Sequence, residues 1–374
     1  MVYVAFSDST YLGKATEMPK EKKSIGKEWF EAIVFAVFAA TFIRWVFMEA
    51  YVIPTPSMER SLLVGDFLFV SKIEYGPRSP QTPVQVPLTH AKIWGTELPS
   101  YIEGIQLPSL RFPALGTVER GDVVVFNYPP EIEHPKDLRT HYIKRCVAIA
   151  GDVVEVKEGQ VFVNGEKQQN PELMQMRYFV ETNQSIRDRV FDNFGIWEYY
   201  QAATPDGRKG YIVLTTEEDA KGLESLDFVK SVQVQLESAE RVEPRIFPNA
   251  THYAWNADHF GPLEIPYRGM QIELNEKTIA KFGSTIKYYE DLDDVQVSDT
   301  EIIINGAPIS SYTFTKNYYF MMGDNRHNSE DSRYWGFVSE DFVVGEASFI
   351  WMSLNDRGGI TDKVRWSRLL KSIE

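Results

Sequence analysis

The stretch from Trp29 to Ile53, WFEAIVFAVFAATFIRWVFMEAYVI, constrains this chain more than any other. So apolar a segment has to be covered by a protein core or by a bilayer. Its uncharged part, residues 32–43, is 12 residues long, a length that by itself suits a core helix or the apolar region of a cleaved secretory leader. Glu31 and Arg44 lie where they can snorkel to an interface, and Trp29 and Trp45 are interfacial aromatics, which extends the segment to a short membrane span. Lys20, Lys22, Lys23 and Lys27 all stand on one side. The positive-inside rule then places the N-terminus in the cytoplasm and everything after Tyr51 on the far side. No later stretch reads as a second span.

Beyond the anchor the chain reads mainly as strands. Asp66 opens a short apolar strand after a Gly-Asp turn, Gly121-Asp122 does the same before VVVFN, and HYIKRCVAIAGDVVEVKEGQVFVNGEK reads as two or three strands ending in an Asn-Gly hairpin. A similar phrase recurs late, around Asn305-Gly306. Two hairpins of one kind, far apart, suggest that residues 168–291 are inserted into a β-rich body. That stretch carries helix signals: Thr215 and Glu218 at capping-box spacing, and Asn275 opening NEKTIAKF. Gly76 to Gly116 is proline-rich and reads as a long irregular excursion. The acidic run Glu290 to Asp294 reads as a solvated turn.

Composition narrows the function. A formal net charge of -14, with no long basic run, argues against a nucleic-acid partner. The single cysteine, Cys146, excludes an internal disulfide and a multi-cysteine metal site, and reads as a small buried packing residue. No cofactor or metal is called for.

Ser57, between Pro56 and Met58, is a hydroxyl placed directly after the anchor, and a serine needs a base before it is a nucleophile. The six histidines, His90, His134, His141, His252, His259 and His327, show no Ser-His-Asp order, and no G-x-S-x-G elbow surrounds Ser57. Lysine serves as a base only when desolvation or a nearby positive charge lowers its pKa. Strand periodicity puts Tyr142, Lys144, Cys146 and Ala148 on one face, so Lys144 has apolar or weakly polar neighbours. On periodicity alone, an edge-strand lysine facing solvent is the favoured reading. The loop GDNRHNSEDSRYWG concentrates Asp324, Arg326, Asp331 and Arg333 around Ser329 and Ser332. It lacks the central glycine and terminal glutamate of a calcium loop; its charges can cross-brace it and leave a hydroxyl such as Ser329 to hold another side chain.

Four stretches now combine: PTPSMERSLLVGDFLFVSK, RGDVVVFNYP, YIKRCVAIAGD and GDNRHNSEDSRYWGFV, in that order behind an apolar anchor. The chain resembles the bacterial type I signal peptidases, membrane-bound serine proteases with a Ser/Lys dyad. The resemblance implies Ser57 as nucleophile, Lys144 as general base, and the Thr55 hydroxyl as partner of the Ser57 N–H in binding the oxyanion. It implies Ser329 as the serine that orients the lysine, Asp331 and Arg333 as the supporting charged pair, Asp324 and Arg326 as the start of the same loop, and Met58 as a residue lining the substrate groove. His327 stands where many relatives have aspartate, and Thr55 where serine is frequent. The long loop and the insert have no counterpart in the shortest members, and some relatives carry a second membrane segment.

The expected fold is mainly β: an N-terminal transmembrane helix, then a catalytic domain of coiled antiparallel sheets with a mixed α+β insertion. The expected organisation is a cytoplasmic segment 1–28, an anchor 29–50, catalytic parts 51–167 and 292–355, an inserted non-catalytic subdomain 168–291, and a basic tail 356–374. The resemblance implies removal of signal peptides from exported preproteins at the outer face of the cytoplasmic membrane, with lipid and the export machinery as surroundings. Two other readings are a Ser/Lys protease dedicated to a few surface proteins and a non-catalytic membrane-tethered β-rich binding module.

Overall fold

The structure, a computed structural model, describes residues 24–86, 89, 91–93, 95–102, 104–248, 251–355, 359 and 363–373. Lys20, Lys22, Lys23 and His90 of the sequence reading, with part of the basic tail, lie outside these.

The apolar segment forms one helix, Ile25–Val46, of 22 residues, none of them buried. At 1.5 Å per residue that is about 33 Å, enough to cross a hydrocarbon core of about 30 Å. The helix up to Phe42 and the chain from Ile43 onward form separate units. In the second unit Arg44 makes a protein contact: its Nε donates to Glu49 Oε1 at 2.6 Å, while Lys72 Nζ lies 2.8 Å from Glu49 Oε2. Burial raises the Glu49 pKa, but Lys72 and Arg44 outweigh it and hold the carboxyl down at about 2.

From Ile43 onward the architecture is mostly β. The central sheet runs in the spatial order Met48–Val52, Asp66–Ser71, Val343–Ser353, Val123–Asn127, His141–Ala148, Tyr318–Met322, Val338–Ser339, each neighbour antiparallel. Alternation along Val123–Asn127 divides two cores. Val123 and Val125 join Met58, Leu62, Leu68 and Val70 on one side, while Val124 and Phe126 join Cys146, Ala148, Tyr318 and Phe320 on the other. All five residues of that strand are buried, as expected of a strand with a core on each face.

The two Asn-Gly turns form as expected. Asn164 and Gly165 have φ of 54° and 82°, and Asn305 and Gly306 have 52° and 76°; two consecutive left-handed residues are what a tight hairpin requires. The first hairpin belongs to a sheet ordered Phe260–Glu264, Val153–Lys157, Gln160–Val163, Glu166–Lys167, and the second to a small three-stranded sheet.

Residues 168–291 contain two kinds of structure. Val229–Val234, Gln175–Thr182, Lys209–Thr216 and Tyr199–Ala203 form a four-stranded sheet with helices Asp188–Asn193 and Glu217–Glu224. This region has a core of its own, built from Val180, Phe191, Ile196, Val213 and Leu223. The helix Glu276–Tyr289 and strand Phe260–Glu264 instead bury Ile279, Phe282, Ile286, Phe260 and Leu263 in the large core. Asn275 caps that helix in a reciprocal box with Thr278, as its position suggests. The other expected cap moves by one residue: Thr216, not Thr215, accepts from Asp219 N–H. The acidic turn is not wholly solvated either, because Glu290 is buried and accepts from the Tyr312 hydroxyl at 2.8 Å.

Among its described residues the excursion Gly76 to Gly116 forms isolated bridges, including Arg78 to Arg111 and Gln85 to Tyr101. Its base is tied to the sheet by Arg78 Nη2 donating to Asn127 Oδ1 at 2.7 Å.

Candidate active site

Pro54 and Pro56 stiffen the exit from strand Met48–Val52, and the 3-10 turn Pro56–Met58 follows at once. The turn leaves Ser57 8% exposed. Lys144 projects from His141–Ala148, which lies between Val123–Asn127 and Tyr318–Met322 and so is an interior strand. That removes the reading of an edge-strand lysine in solvent: Lys144 is 3% exposed. Its Nζ lies 2.8 Å from Ser57 Oγ and donates to the Ile143 carbonyl at 3.0 Å. Burial pulls the Lys144 pKa down from 10.5 to about 8, against Asp331, Glu330 and Asp324, which raise it. A neutral amine with one hydrogen on a carbonyl keeps its lone pair for the Ser57 O–H.

A strap of loop residues holds the serine in place. Asn325 N–H donates to the Ser57 carbonyl at 3.1 Å, Asn325 Nδ2 to the Pro56 carbonyl at 3.2 Å, and Asp324 N–H to Met58 Sδ at 3.4 Å. Asp324 is 1% exposed and takes both prongs of Arg145, at 2.9 and 2.7 Å, plus the Ser61 hydroxyl at 2.6 Å. Arg333 forks onto Asp331 at 2.9 and 2.8 Å, and both are fully buried. Burial raises the Asp331 pKa, but Arg333 outweighs it and keeps the carboxyl below its usual range. Asp331 in turn accepts the Gly323 N–H at 3.1 Å. Gly323 has to be glycine because a Cβ there would sit 2.3 Å from Ser329 Oγ and 2.5 Å from the Ser57 carbonyl oxygen.

The residues singled out in the sequence therefore occupy different places. Ser57, Lys144, Asp324, Asp331 and Arg333 share one buried network around the turn Pro56–Met58. Ser329 packs across Gly323 beside Ser57, but its buried hydroxyl has no hydrogen-bond partner, and Lys144 Nζ is held by Ser57 and Ile143 instead. Thr55 is exposed at the N-cap just before the turn, its side chain making no cap bond. Met58 is 0% exposed, so in place of lining a groove it supports the turn from inside the smaller core. Arg326 is buried, its pKa lowered to about 10 by burial, and its backbone N–H donates to the Gln175 carbonyl at 3.0 Å.

Arg145, Asn325 and Gln175 were not singled out in the sequence. Arg145 carried a signal, since it adjoins Lys144 and is complementary to Asp324. A His-Asp pair does exist: His327 Nε2 lies 2.8 Å from Asp258 Oδ1. Its Nδ1, however, accepts the Arg177 N–H at 2.9 Å, so the ring has no nitrogen left to serve Ser57 as a base. Among the described residues no group of three or more His, Cys, Asp or Glu could hold a metal ion.

A buried lysine in contact with a serine is a constellation for acyl transfer. A family model described as signal peptidase, peptidase S26, matches residues 26–232 and 264–352. The chain belongs to the signal peptidase family. Among curated proteins, the signal peptidase I of Buchnera aphidicola subsp. Schizaphis graminum is 28% identical over 330 residues, covering 87% of this chain and 74% of the relative. The signal peptidase I of Helicobacter pylori is 26% identical over 357 residues, covering 92% and 91%. That of Aquifex aeolicus is 26% identical over 321 residues, covering 85% and 80%. This signal peptidase is thus a serine endopeptidase, and its apolar N-terminal helix fits a membrane anchor.

Proposed function

We propose that Ser57 is the nucleophile and Lys144 the general base with which this signal peptidase removes signal peptides from exported preproteins. The observation that carries the assignment is the 2.8 Å approach of Ser57 Oγ to the buried Lys144 Nζ. Neutral Lys144 takes the Ser57 proton as Oγ attacks the scissile carbonyl; an acyl-enzyme forms and the leaving amine receives the proton. Lys144 then deprotonates the hydrolytic water. Neither the Ser57 N–H nor the Thr55 hydroxyl is engaged by another described residue, which suits them to the oxyanion. Acylation takes Oγ away from Lys144, and the spare hydroxyl of Ser329 is the replacement partner that keeps the amine in place.

In this reading the N-terminus is cytoplasmic, and the chain from Ile43 onward acts on the far side of the membrane, near lipid and the export machinery. The outward face of strands Asp66–Ser71 and Val343–Ser353 supports the lipid contact. Phe67 packs on Trp351 at 5.6 Å and Phe69 on Phe349 at 5.4 Å between ring centroids, with Met48 and Val52 exposed beside them. Single-turnover cleavage of several detergent-solubilised preproteins tests the assignment. Ser57→Ala should abolish cutting, and Thr55→Ala, which keeps the dyad, should slow it about 100-fold, by analogy with loss of one oxyanion donor. Undiminished cutting by Ser57→Ala would end the proposal, and cutting of one preprotein among many would mark a dedicated processor.

A further inference from the structure

A cleft of about 620 Å³ opens beside the nucleophile turn. Pro56 lines it, and so does Asn325, whose N–H holds the Ser57 carbonyl. Its opposite wall comes from the region with the four-stranded sheet, through Gln175, Asp192, Trp197 and Glu198.

The lining is short of hydrogen-bond donors. Asn325 is 1% exposed and uses Nδ2 on the Pro56 carbonyl, leaving Oδ1 buried without a partner. Gln175 is 2% exposed, and its Oε1 is equally unpartnered. Buried acceptors without donors are unfavourable, and two of them on one cleft mark where a donor belongs. Glu59, Asp192 and Glu198 add carboxylates. Among the described lining residues the single cation is Arg365, whose Nη1 is already directed at the carbonyls of Val64 and Leu354 and at Ser353 Oγ. Trp197, 41% exposed, offers an aromatic face.

Acceptors, negative charge and an indole together suit an ammonium or guanidinium, which brings three or five N–H donors and a positive charge. We propose that this cleft is a subsite for a lysine or arginine side chain of the substrate polypeptide, within a few residues of the scissile bond. It rests on Ser57 being the nucleophile, because only then does a polypeptide run past Pro56 and Asn325. The region with the four-stranded sheet is then a specificity element that reads charge next to the cleavage site.

The test uses the full-length chain in detergent and peptide substrates carrying Lys, Gln or Glu at successive positions on either side of the cleavage site. At one or two neighbouring positions kcat/KM for Lys should exceed that for Glu by about tenfold, carried mainly by KM, since each exposed ion pair contributes modestly. High salt should shrink the ratio. In Asp192→Asn with Glu198→Gln it should fall towards one, and Asp192→Lys should invert it. A wild-type enzyme with no Lys-over-Glu preference at any position would overturn the subsite while leaving the nucleophile assignment standing. So would a preference that persists undiminished in the variants. Undiminished cutting of the Lys peptides by Ser57→Ala would take down the nucleophile assignment and the subsite with it.

Discussion

Arg145, the residue after Lys144, forks onto both oxygens of Asp324, 179 positions later, at 2.9 and 2.7 Å. The pair locks the base-bearing strand to the loop that straps Ser57, so the distance between base and nucleophile depends on it. Asp324→Asn leaves a buried guanidinium uncompensated, which costs about 3–5 kcal/mol. Urea denaturation in detergent should show that loss, and kcat should fall with it. Replacing both partners by apolar residues of similar volume should recover most of the stability but not kcat. Equal kcat in the double variant would show that the pair has no part in positioning the base.

Gly323→Ala forces a Cβ against Ser329 and the Ser57 carbonyl. The Ser57 carbonyl is backbone and cannot rotate away, so the nucleophile turn must shift. Steady-state kinetics should show kcat reduced at least tenfold for a stability cost of about 1–3 kcal/mol. Wild-type kcat in this variant would contradict the tight packing described between Ser57 and Ser329.

Lys144→Met should be inactive and yet more stable than the wild type at neutral pH. Burial lowers the lysine pKa from 10.5 to about 8 in the fold. Between those values the unfolded chain binds a proton that the folded chain has released, so stability rises with pH across that window. Below pH 8 the whole penalty of burying the charge is present, roughly 3 to 3.5 kcal/mol. Denaturation midpoints should therefore favour the methionine variant at pH 7, with the gap closing towards pH 10.5. A variant less stable at pH 7 would mean that the buried lysine carries no such penalty.

The exposed Glu330 is one of the carboxylates that raise the Lys144 pKa. Glu330→Gln should let burial act more fully, moving the acid limb of the rate profile a few tenths of a unit to lower pH without a change of fold. A shift to higher pH would contradict the electrostatics described for the site.

Much of this was legible in the sequence because it was local. Alternation placed Lys144 among Tyr142, Cys146 and Ala148, consecutive left-handed residues required the Asn-Gly turns, and Asn275 marked a helix start. The apolar segment marked a long helix, found at Ile25–Val46. What escaped depends on contacts between distant parts of the chain. Met58 looked like a groove residue until the smaller core closed over it, and Glu290 looked solvated until Tyr312 reached it. For Arg44 the choice between an interface and a protein contact stayed open, and Glu49 supplies the contact. Periodicity could not separate an interior strand from an edge strand, and only the sheet order decided between a buried and a solvated Lys144.

The most direct test of a lysine base kept neutral by burial is the pH dependence of kcat/KM, measured with a substrate that does not itself titrate between pH 5 and 10. The profile should rise along an acid limb with a midpoint near 8, the value to which burial lowers Lys144. A rate already maximal by about pH 6, as a carboxylate base would give, would contradict the assignment of Lys144 as the group that takes the Ser57 proton.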